Sequence, residues 1–444
     1  MQLARAFGYS ERLIDRGFKA GSVRPLAGCS DPKNADFFSR FRTFEEIEAF
    51  LTSRICQLRQ EIGSEGSQCE AVVIGTSVEG RPIYALEIRN PEALAAAKKQ
   101  GKKERIALVT ATLHAREWTA TTSVLLSAVR LDVTDVSVVF VPVWNPDGYV
   151  HTWSGEKGYK KRWAKNELVT DEVPARMWRK NRKLNFDGTI GVDLNRNFGS
   201  SDLIWGTDKK SKSINFTESD IYQGAHGWSE PETSAIRDLH AKYKKKLVAF
   251  VDVHCCIGAI LEPFSRDGKA PGYVFDIGQR MIDAINTKAP AEEQYEWRPR
   301  PASSASGSGI SSSWAFQEAL IPFTYVVELR SKFVMPCTEI KPIGNEFLLG
   351  LRVLIDELSR VDEIIAEYNN RPAAVRPPSD GALAEAHESR RRRRRARKGA
   401  LKQPLEPPRG RASGVRLFLY FALGCCALAL VYIAKAKSEP SKSN

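Results

Sequence analysis

Apolar and polar positions along this chain of 444 residues alternate in patterns that predict a succession of strands and helices. Apolar residues at helical spacing predict a helix over Phe41–Leu51, and Thr43 with Glu46 matches the capping box that starts many helices. Two short apolar runs between Ala71 and Ile88, separated by the turn 75–82, predict a β-hairpin. The other predicted strands are Ile106–Thr112, Val136–Val143, Leu247–His254 and Phe323–Leu329, and the other predicted helices are Thr119–Arg130, Ser229–Tyr243, Val274–Asn286 and Asn345–Tyr368.

The order of these elements indicates the fold class. Strands that alternate with helices are typical of an α/β domain, so we expect a mixed, mostly parallel, twisted sheet flanked by helices. The polar, charged stretch Gly155–Pro174 is predicted to be a surface insertion. With 42% hydrophobic residues, the chain can bury the core of one domain of about 300 residues and still carry extensions.

Changes in composition divide the chain into segments. Residues 1–36 have no clear period and are predicted to be an N-terminal extension, without the apolar run of a secretory signal. Residues 37–370 carry the strand and helix patterns and are predicted to be the globular domain. Residues 371–415 are rich in proline, alanine and arginine, with six consecutive arginines at 390–395, and predict a disordered basic linker.

An apolar run near the C-terminus predicts attachment to a membrane. Residues 417–434 are uncharged and just long enough to cross a bilayer, so we place a transmembrane helix at 416–435 and a polar tail at 436–444. The basic linker favours a tail-anchored protein whose globular domain faces the cytosol, and it would also attract anionic lipids. A domain that faces the lumen or the cell exterior is the alternative, and it would expose the glycosylation sequon Asn215–Thr217.

The net charge of +13 lies almost entirely in the tail. Residues 372–444 carry 16 Lys or Arg against 5 Asp or Glu, whereas the first 371 residues carry 50 against 48. A nearly neutral domain gives no reason to expect binding to nucleic acid. The eight cysteines are scattered and form no CxxC pair, which argues against a domain stapled by disulfides.

Three residues that could bind a metal follow predicted strands. His114 comes directly after Ile106–Thr112, and Glu117 lies three residues further on, so both side chains can share one face of a turn. His254 ends another apolar run. Two histidines and one carboxylate, with a fourth position open for water, are ligands of catalytic zinc sites. By spacing alone, the pattern also fits a core histidine and a salt-bridged surface glutamate.

Seven short motifs are spread over the predicted domain. In chain order they are GTSVEGRPI at 75–83, HAREW at 114–118, PVWNPDGY at 142–149, MWRKNR at 177–182, GVDLNRNF at 191–198, SEPET at 229–233 and VELR at 327–330. Together they resemble, from about Phe41 to Tyr368, the zinc metallocarboxypeptidases of the carboxypeptidase A/B family. The resemblance implies an exopeptidase that acts on the C-termini of peptides or proteins and binds one Zn²⁺ ion through His114, Glu117 and His254.

The resemblance also implies roles for other motif residues. Glu328 matches the general base that takes a proton from metal-activated water, although by itself it could be a structural glutamate paired with Arg330. Arg179 matches the arginine that stabilises the oxyanion of the tetrahedral intermediate. The remaining matches are Asn195 and Arg196 for the terminal carboxylate of the substrate, Arg116 and Arg176 for accessory substrate binding, and Asp193 for orienting a zinc-bound histidine.

The chain departs from the family pattern near these residues. Arg298–Trp314 contains no tyrosine where the family has a flexible one, Cys256 stands where a second tyrosine is usual, and Ser331 replaces an aspartate. Ser312 falls near the base of the side-chain pocket, and a small neutral residue there argues against a strictly basic preference. The alternative functions are a weakly active or inactive membrane-tethered module that binds peptide C-termini, and a deamidase or deglutamylase on the same fold.

Overall fold

A computed structural model describes the predicted globular domain. It covers residues 36–64, 66–164, 167–199, 205, 214–263, 270–299 and 308–370, with the backbone alone at 157–173, and all of these residues belong to the unit Met1–Arg376. The predicted linker at 371–415, the predicted transmembrane helix at 416–435 and the tail at 436–444 lie outside the described residues. Within the described ranges, no helix is both long enough and apolar enough to cross a bilayer.

An eight-stranded mixed sheet lies at the centre of the described domain. Its strands are β1 (Gln68–Thr76), β2 (Pro82–Arg89), β3 (Arg105–Ala111), β4 (Val136–Val141), β7 (Leu247–Cys255), β8 (Ala259–Leu261), β9 (Glu296–Arg298) and β10 (Phe323–Leu329). The spatial order is β1-β2-β4-β3-β7-β10-β8-β9. The four central strands, β4, β3, β7 and β10, are parallel, whereas β2 and β8 pair with them antiparallel. The predicted mixed sheet is confirmed.

Helices cover both faces of this sheet. They are α1 (Phe44–Ser53), α2 (Ile55–Glu61), α3 (Pro91–Lys99), α4 (Trp118–Arg130), α5 (Pro146–His151), α6 (Pro231–Tyr243), α7 (Gly272–Asn286), α8 (Ser311–Gln317), α9 (Ile340–Leu358) and α10 (Val361–Asn370). Because side chains alternate along a strand, Val109 and Val251 enter a core that includes residues of α4, α7 and α9. Leu108 and Phe250 enter a second core on the opposite face, with residues of α6 and α8.

One predicted helix differs from the structure. The prediction of one helix over Asn345–Tyr368 was wrong, because α9 ends at Leu358 and α10 begins at Val361. Arg105 stabilises the break, since its guanidinium donates to the Ser359 carbonyl at 2.7 Å and to the Asp362 carboxylate at 2.9 Å. A partner so distant in sequence cannot be recognised from helical spacing alone.

The predicted insertion Gly155–Pro174 forms a separate antiparallel hairpin of β5 (Lys157–Ala164) and β6 (Glu167–Pro174). The cysteines also differ from the expectation. Cys56 is bonded to Cys69, which joins α2 to β1, and Cys255 is bonded to Cys256. The absence of a CxxC pair therefore did not exclude disulfides, because Cys56 and Cys69 meet through the fold.

Candidate active site

His114 and Glu117 lie on a short turn between β3 and α4. Asn145, in the PVWNPDGY motif, holds this turn in place. Its side-chain amide donates to the carbonyl of Leu113 at 3.2 Å and to the carbonyl of Lys180 at 3.1 Å, and Asn145 is fully buried. The turn that carries two predicted metal ligands is thus fastened to the neighbouring MWRKNR segment.

Two further motifs meet behind that segment. The amide of Asn181 donates to the carboxylates of Glu230 at 2.7 Å and Glu232 at 3.2 Å, and the backbone N–H of Val78 donates to Glu232 at 3.1 Å. Burial is the main cause that raises the pKa of Glu232, to about 7. The GTSVEGRPI, MWRKNR and SEPET motifs therefore converge on one buried scaffold that positions the loop carrying Arg179.

His254 and Glu328 are placed by the sheet itself. They are register partners on the parallel strands β7 and β10, so their side chains leave the same face of the sheet. The position of His254 at the carboxyl end of β7 brings it next to the turn of His114. Sheet register thus brings the predicted general base beside a predicted metal ligand.

Arg330 does not pair with Glu328, which was the structural alternative to a catalytic role for Glu328. Its guanidinium donates to both carboxylate oxygens of Glu346, at 2.8 Å each, and pairs with Glu293 at 2.5 Å and Glu339 at 3.3 Å. These bonds fasten the end of β10 to α9. The VELR arginine is therefore occupied by three glutamates other than Glu328.

The three predicted metal ligands converge. The Nδ1 atom of His114 lies 2.9 Å from a carboxylate oxygen of Glu117, and the Nδ1 atom of His254 lies 3.0 Å from the other oxygen. The two Nδ1 atoms are 3.2 Å apart. All three residues are buried, and their ligand atoms lie within 4.8 Å of one another.

The Nε2 atoms of the two imidazoles face carboxylates. His114 Nε2 lies 3.4 Å from Asp193, and His254 Nε2 lies 3.0 Å from Asp252. With the proton of a neutral imidazole on Nε2, facing the carboxylate, the Nδ1 atom would present a lone pair to a metal. Asp193 is the residue predicted to orient a histidine, whereas sequence reasoning missed Asp252.

This donor set fits a zinc ion. The two Nδ1 atoms and the Glu117 carboxylate are separated by 2.9–3.2 Å, close enough for all three to bind one cation. Ligand atoms around a tetrahedral zinc ion with bonds of 2.0–2.1 Å are about 3.3 Å apart. Burial alone lowers the pKa of His254, but the charges of Asp252 and Glu117 outweigh it and raise that pKa well above its ordinary value. The site attracts positive charge.

Arg179 is tied to this centre through Asp193. Its Nε and Nη2 atoms donate to one oxygen of Asp193, at 3.1 Å and 2.8 Å. The other oxygen of Asp193 accepts the backbone N–H of Asn195 at 3.0 Å. Burial opposes ionisation of Asp193, but the charge of Arg179 is stronger and holds the pKa of Asp193 well below its usual value. Among the described residues, Nη1 of Arg179 has no hydrogen-bond partner.

Asn195 and Arg196 follow Asp193 in a single 3₁₀ turn. The Oδ1 atom of Asn195 accepts the backbone N–H of Ser311 at 2.9 Å, which leaves its amide hydrogens to donate elsewhere. Gly309 contacts the backbone of Arg196 so closely that a Cβ atom at this glycine would lie 1.8 Å from the Arg196 carbonyl oxygen, and its φ is +64°. The predicted pair is thus positioned by the start of α8.

Arg116 and Arg176 form a neighbouring layer of cations over aromatic rings. Arg116 lies over Phe333 at 4.6 Å and donates to the Met177 carbonyl at 3.2 Å. Arg176 lies over Trp118 at 3.7 Å, donates to the Arg116 carbonyl at 2.8 Å and also bonds the Phe333 carbonyl. Burial lowers the pKa of Arg176 to about 10. Both guanidinium groups bridge loops beside the metal ligands.

The residues that depart from the family pattern lie at the end of β7, after β10 and at the start of α8. The backbone N–H of Cys255 donates to Glu117 at 3.3 Å, so the Cys255–Cys256 disulfide adjoins a metal ligand. Ser312 is fully buried at the start of α8, and Ser331 is buried after β10. The stretch 300–307, in which the tyrosine is missing, lies outside the described residues.

Comparisons with known proteins agree with this arrangement. A family model described as zinc carboxypeptidase matches residues 55–350. Mast cell carboxypeptidase A of Mus musculus is 28% identical over 337 residues, covering 71% of this chain and 70% of that protein. Carboxypeptidase O of Homo sapiens is 28% identical over 331 residues, covering 69% and 76%.

A solved structure shows the same fold. The carboxypeptidase A of Helicoverpa armigera superposes with a TM-score of 0.59 at 25% identity, covering 75% of this chain and 77% of that one. Members of the matched family hydrolyse peptides as exopeptidases and use one zinc ion, and His114, Glu117 and His254 are the group of described residues that could hold such an ion here. The fold, the converging ligands and the family match together show that this chain belongs to the zinc carboxypeptidase family.

Proposed function

We propose that this protein removes the C-terminal residue of peptides or proteins, with Glu328 as the general base. The observation that carries the proposal is the register of β7 and β10, which places Glu328 directly beside the metal ligand His254. A half-buried carboxylate next to a zinc ligand can accept a proton from the attacking water and pass it to the leaving amine. Zinc, when bound, supplies the Lewis acidity that makes this water acidic and polarises the scissile carbonyl.

Arg179 would stabilise the negative charge that develops on the carbonyl oxygen. Two of its nitrogens are held by Asp193, which fixes the plane of the guanidinium, and its remaining nitrogen can donate to substrate. Burial lowers the pKa of Arg179, but the charges of Asp193 and Glu117 raise it further, so the group stays cationic. A fixed cation near developing charge is an effective form of transition-state stabilisation.

Asn195 and Arg196 would bind the terminal carboxylate of the substrate. The Oδ1 atom of Asn195 is occupied by Ser311, so its amide presents donors only, and Arg196 adds a planar guanidinium. Arg116 and Arg176 would contact the substrate further from the scissile bond. A clamp for a free carboxylate explains why such a site would release terminal residues rather than cut within a chain.

The proposal is tested with the full-length protein and peptides that differ only at the C-terminal residue. We expect one bound zinc ion per chain and release of the terminal residue from peptides with a free carboxylate. Glu328→Gln should keep zinc and lose about 10²–10⁴-fold in turnover, because general-base catalysis contributes that much. A zinc-loaded protein that releases no residue from any peptide would instead support the binding-module alternative.

Amidated versions of the same peptides test the carboxylate clamp separately. Amidation removes the negative charge that Asn195 and Arg196 would bind, so we expect little or no release from these peptides. Equal rates on free and amidated peptides would refute the roles of both residues while leaving the metal and Glu328 intact.

We also propose that the chain is tethered to a membrane by 416–435, with the domain facing the cytosol. The support is the uncharged run and the basic linker before it. Fractionation of cells that express the full chain, or the chain without 416–435, tests the tether: only the full chain should pellet with membranes. Glycosylation at the exposed Asn215 would show that the domain faces the lumen instead.

A further inference from the structure

We propose that Asp252 is a second positioning residue of the metal centre, which orients His254 and contributes negative charge to the bound zinc ion. The proposal rests on the zinc role assigned to His114, Glu117 and His254. It concerns metal binding and does not depend on which substrate is cleaved.

Asp252 is placed for this role by the strand that carries the ligand. It lies two residues before His254 on β7, so both side chains leave the same face of the sheet. Its carboxylate lies 3.0 Å from His254 Nε2, closer than the 3.4 Å between Asp193 and His114 Nε2. A carboxylate on Nε2 fixes the tautomer of the ring and makes Nδ1 a better metal ligand.

The carboxylate of Asp252 is itself fixed by two hydroxyl groups. Thr110, its register partner on β3, donates to one oxygen at 3.1 Å. Ser311, at the start of α8, donates to the other oxygen at 2.5 Å. Asp252 is fully buried, so strands β3 and β7 and helix α8 together hold the group that orients His254.

The charge of Asp252 points to the same role. A buried carboxylate is unfavourable unless a cation compensates it. Asp193 has Arg179 for this purpose, whereas the hydrogen-bond and ion-pair partners of Asp252 among the described residues are Thr110, Ser311 and the imidazole of His254. The negative charge of Asp252 is therefore available to balance that of a cation bound through His254.

The test compares Asp252→Asn with a matched control in the full-length protein. Asp147→Asn is the control, because Asp147 is also a buried aspartate, and it bonds Ser77, the Glu79 backbone and Arg81 away from the ligands. We measure zinc affinity by competition with a chromophoric chelator and record the visible spectrum of the cobalt-substituted protein. Asp252→Asn should weaken zinc binding about 10–100-fold and shift the cobalt bands, as loss of an orienting carboxylate does.

Asp147→Asn should leave zinc affinity within about twofold and the cobalt bands unchanged, whatever it costs in stability. Asp252→Asn with wild-type zinc affinity and an unchanged cobalt spectrum would overturn the proposal. If Asp252→Asn does not fold, the double variant Thr110→Val, Ser311→Ala leaves the charge but frees the carboxylate. It should still shift the cobalt bands, and unchanged bands and affinity in that variant would equally refute the role. Loss of zinc affinity in a protein that cleaves no peptide would refute the proposed function and leave this inference standing.

Discussion

Each of the two histidines of the candidate metal site has a buried carboxylate near its Nε2 atom, but the two halves of the site are built differently. In the first half, His114 sits on a turn, and Asp193 starts a 3₁₀ turn and is neutralised by Arg179. In the second half, Asp252 and His254 lie on one strand, and the carboxylate is held by hydroxyls. The first half, with His114 and Asp193, is held by loops and an ion pair and is called the loop half. The second half, with Asp252 and His254, is held by sheet register and is called the strand half.

This difference predicts that the halves respond differently to substitution. Loops depend on the groups that fasten them, so the first half should be sensitive to the scaffold behind it. A strand in the middle of a parallel sheet is held by ladder hydrogen bonds on both sides, so the second half should be sensitive mainly to the loss of its own carboxylate. Substitutions in each half can therefore separate these two dependences.

The largest stability effect is expected from loss of the ion pair in the loop half. Arg179→Met leaves Asp193 as an unpaired buried charge and should cost about 3–5 kcal/mol in the free energy of unfolding of the zinc-free protein. Thr110→Val, which removes one hydroxyl from Asp252 in the strand half, should cost less, about 1.5–3 kcal/mol. Chemical denaturation of both zinc-free variants measures the two costs, and equal costs would remove the distinction between the halves.

The next effect is a dependence of stability on pH that arises behind the loop half. Burial raises the pKa of Glu232 from 4.5 to about 7, so the folded protein keeps a proton there that the unfolded chain loses. Its contribution is fully present below pH 4.5 and is lost as the pH rises to about 7, by roughly 3 kcal/mol. Glu232→Gln should remove that slope in unfolding measurements from pH 4.5 to pH 8, whereas a slope unchanged by the substitution would show that Glu232 is ionised in the folded protein.

The smallest of the three effects concerns the carboxylate clamp at the edge of the loop half. Gly309→Ala places a methyl group against the Arg196 carbonyl at a residue with φ of +64°, so the turn must shift. A left-handed backbone at a non-glycine residue costs about 1–3 kcal/mol. We expect the KM for peptides with a free carboxylate to rise while zinc affinity stays constant. A drop in zinc affinity would show that a change in the carboxylate clamp also disturbs the metal site.

The sequence predicted the loop half and missed part of the strand half for physical reasons. His114, Glu117 and Asp193 stand in motifs whose resemblance to the zinc metallocarboxypeptidases indicates their roles. Asp252 stands inside the apolar run 247–254, where it was counted as part of a buried strand. A carboxylate in such a run, two residues before a histidine on the same face, was the available signal, since an acidic group is rarely buried without a partner.

Two other features of the structure, the placement of Glu328 and the break between α9 and α10, depend on residues that are distant in the sequence. Register placed Glu328 beside His254, which strand patterns alone cannot fix. The break between α9 and α10 depends on Arg105, more than 250 residues earlier in the chain. The fold class and the metal ligands could be predicted because they rest on local patterns and motifs, whereas these contacts are formed only by the folded chain.

Anomalous diffraction at the zinc absorption edge, from crystals grown with zinc, would locate the metal ion relative to the two histidines. We predict one strong peak within bonding distance of Nδ1 of His114, Nδ1 of His254 and the Glu117 carboxylate. Asp193 and Asp252 should remain on the two Nε2 atoms, with Glu328 facing the metal. A peak elsewhere in the chain, or zinc bound through Nε2 with either aspartate displaced, would contradict the account.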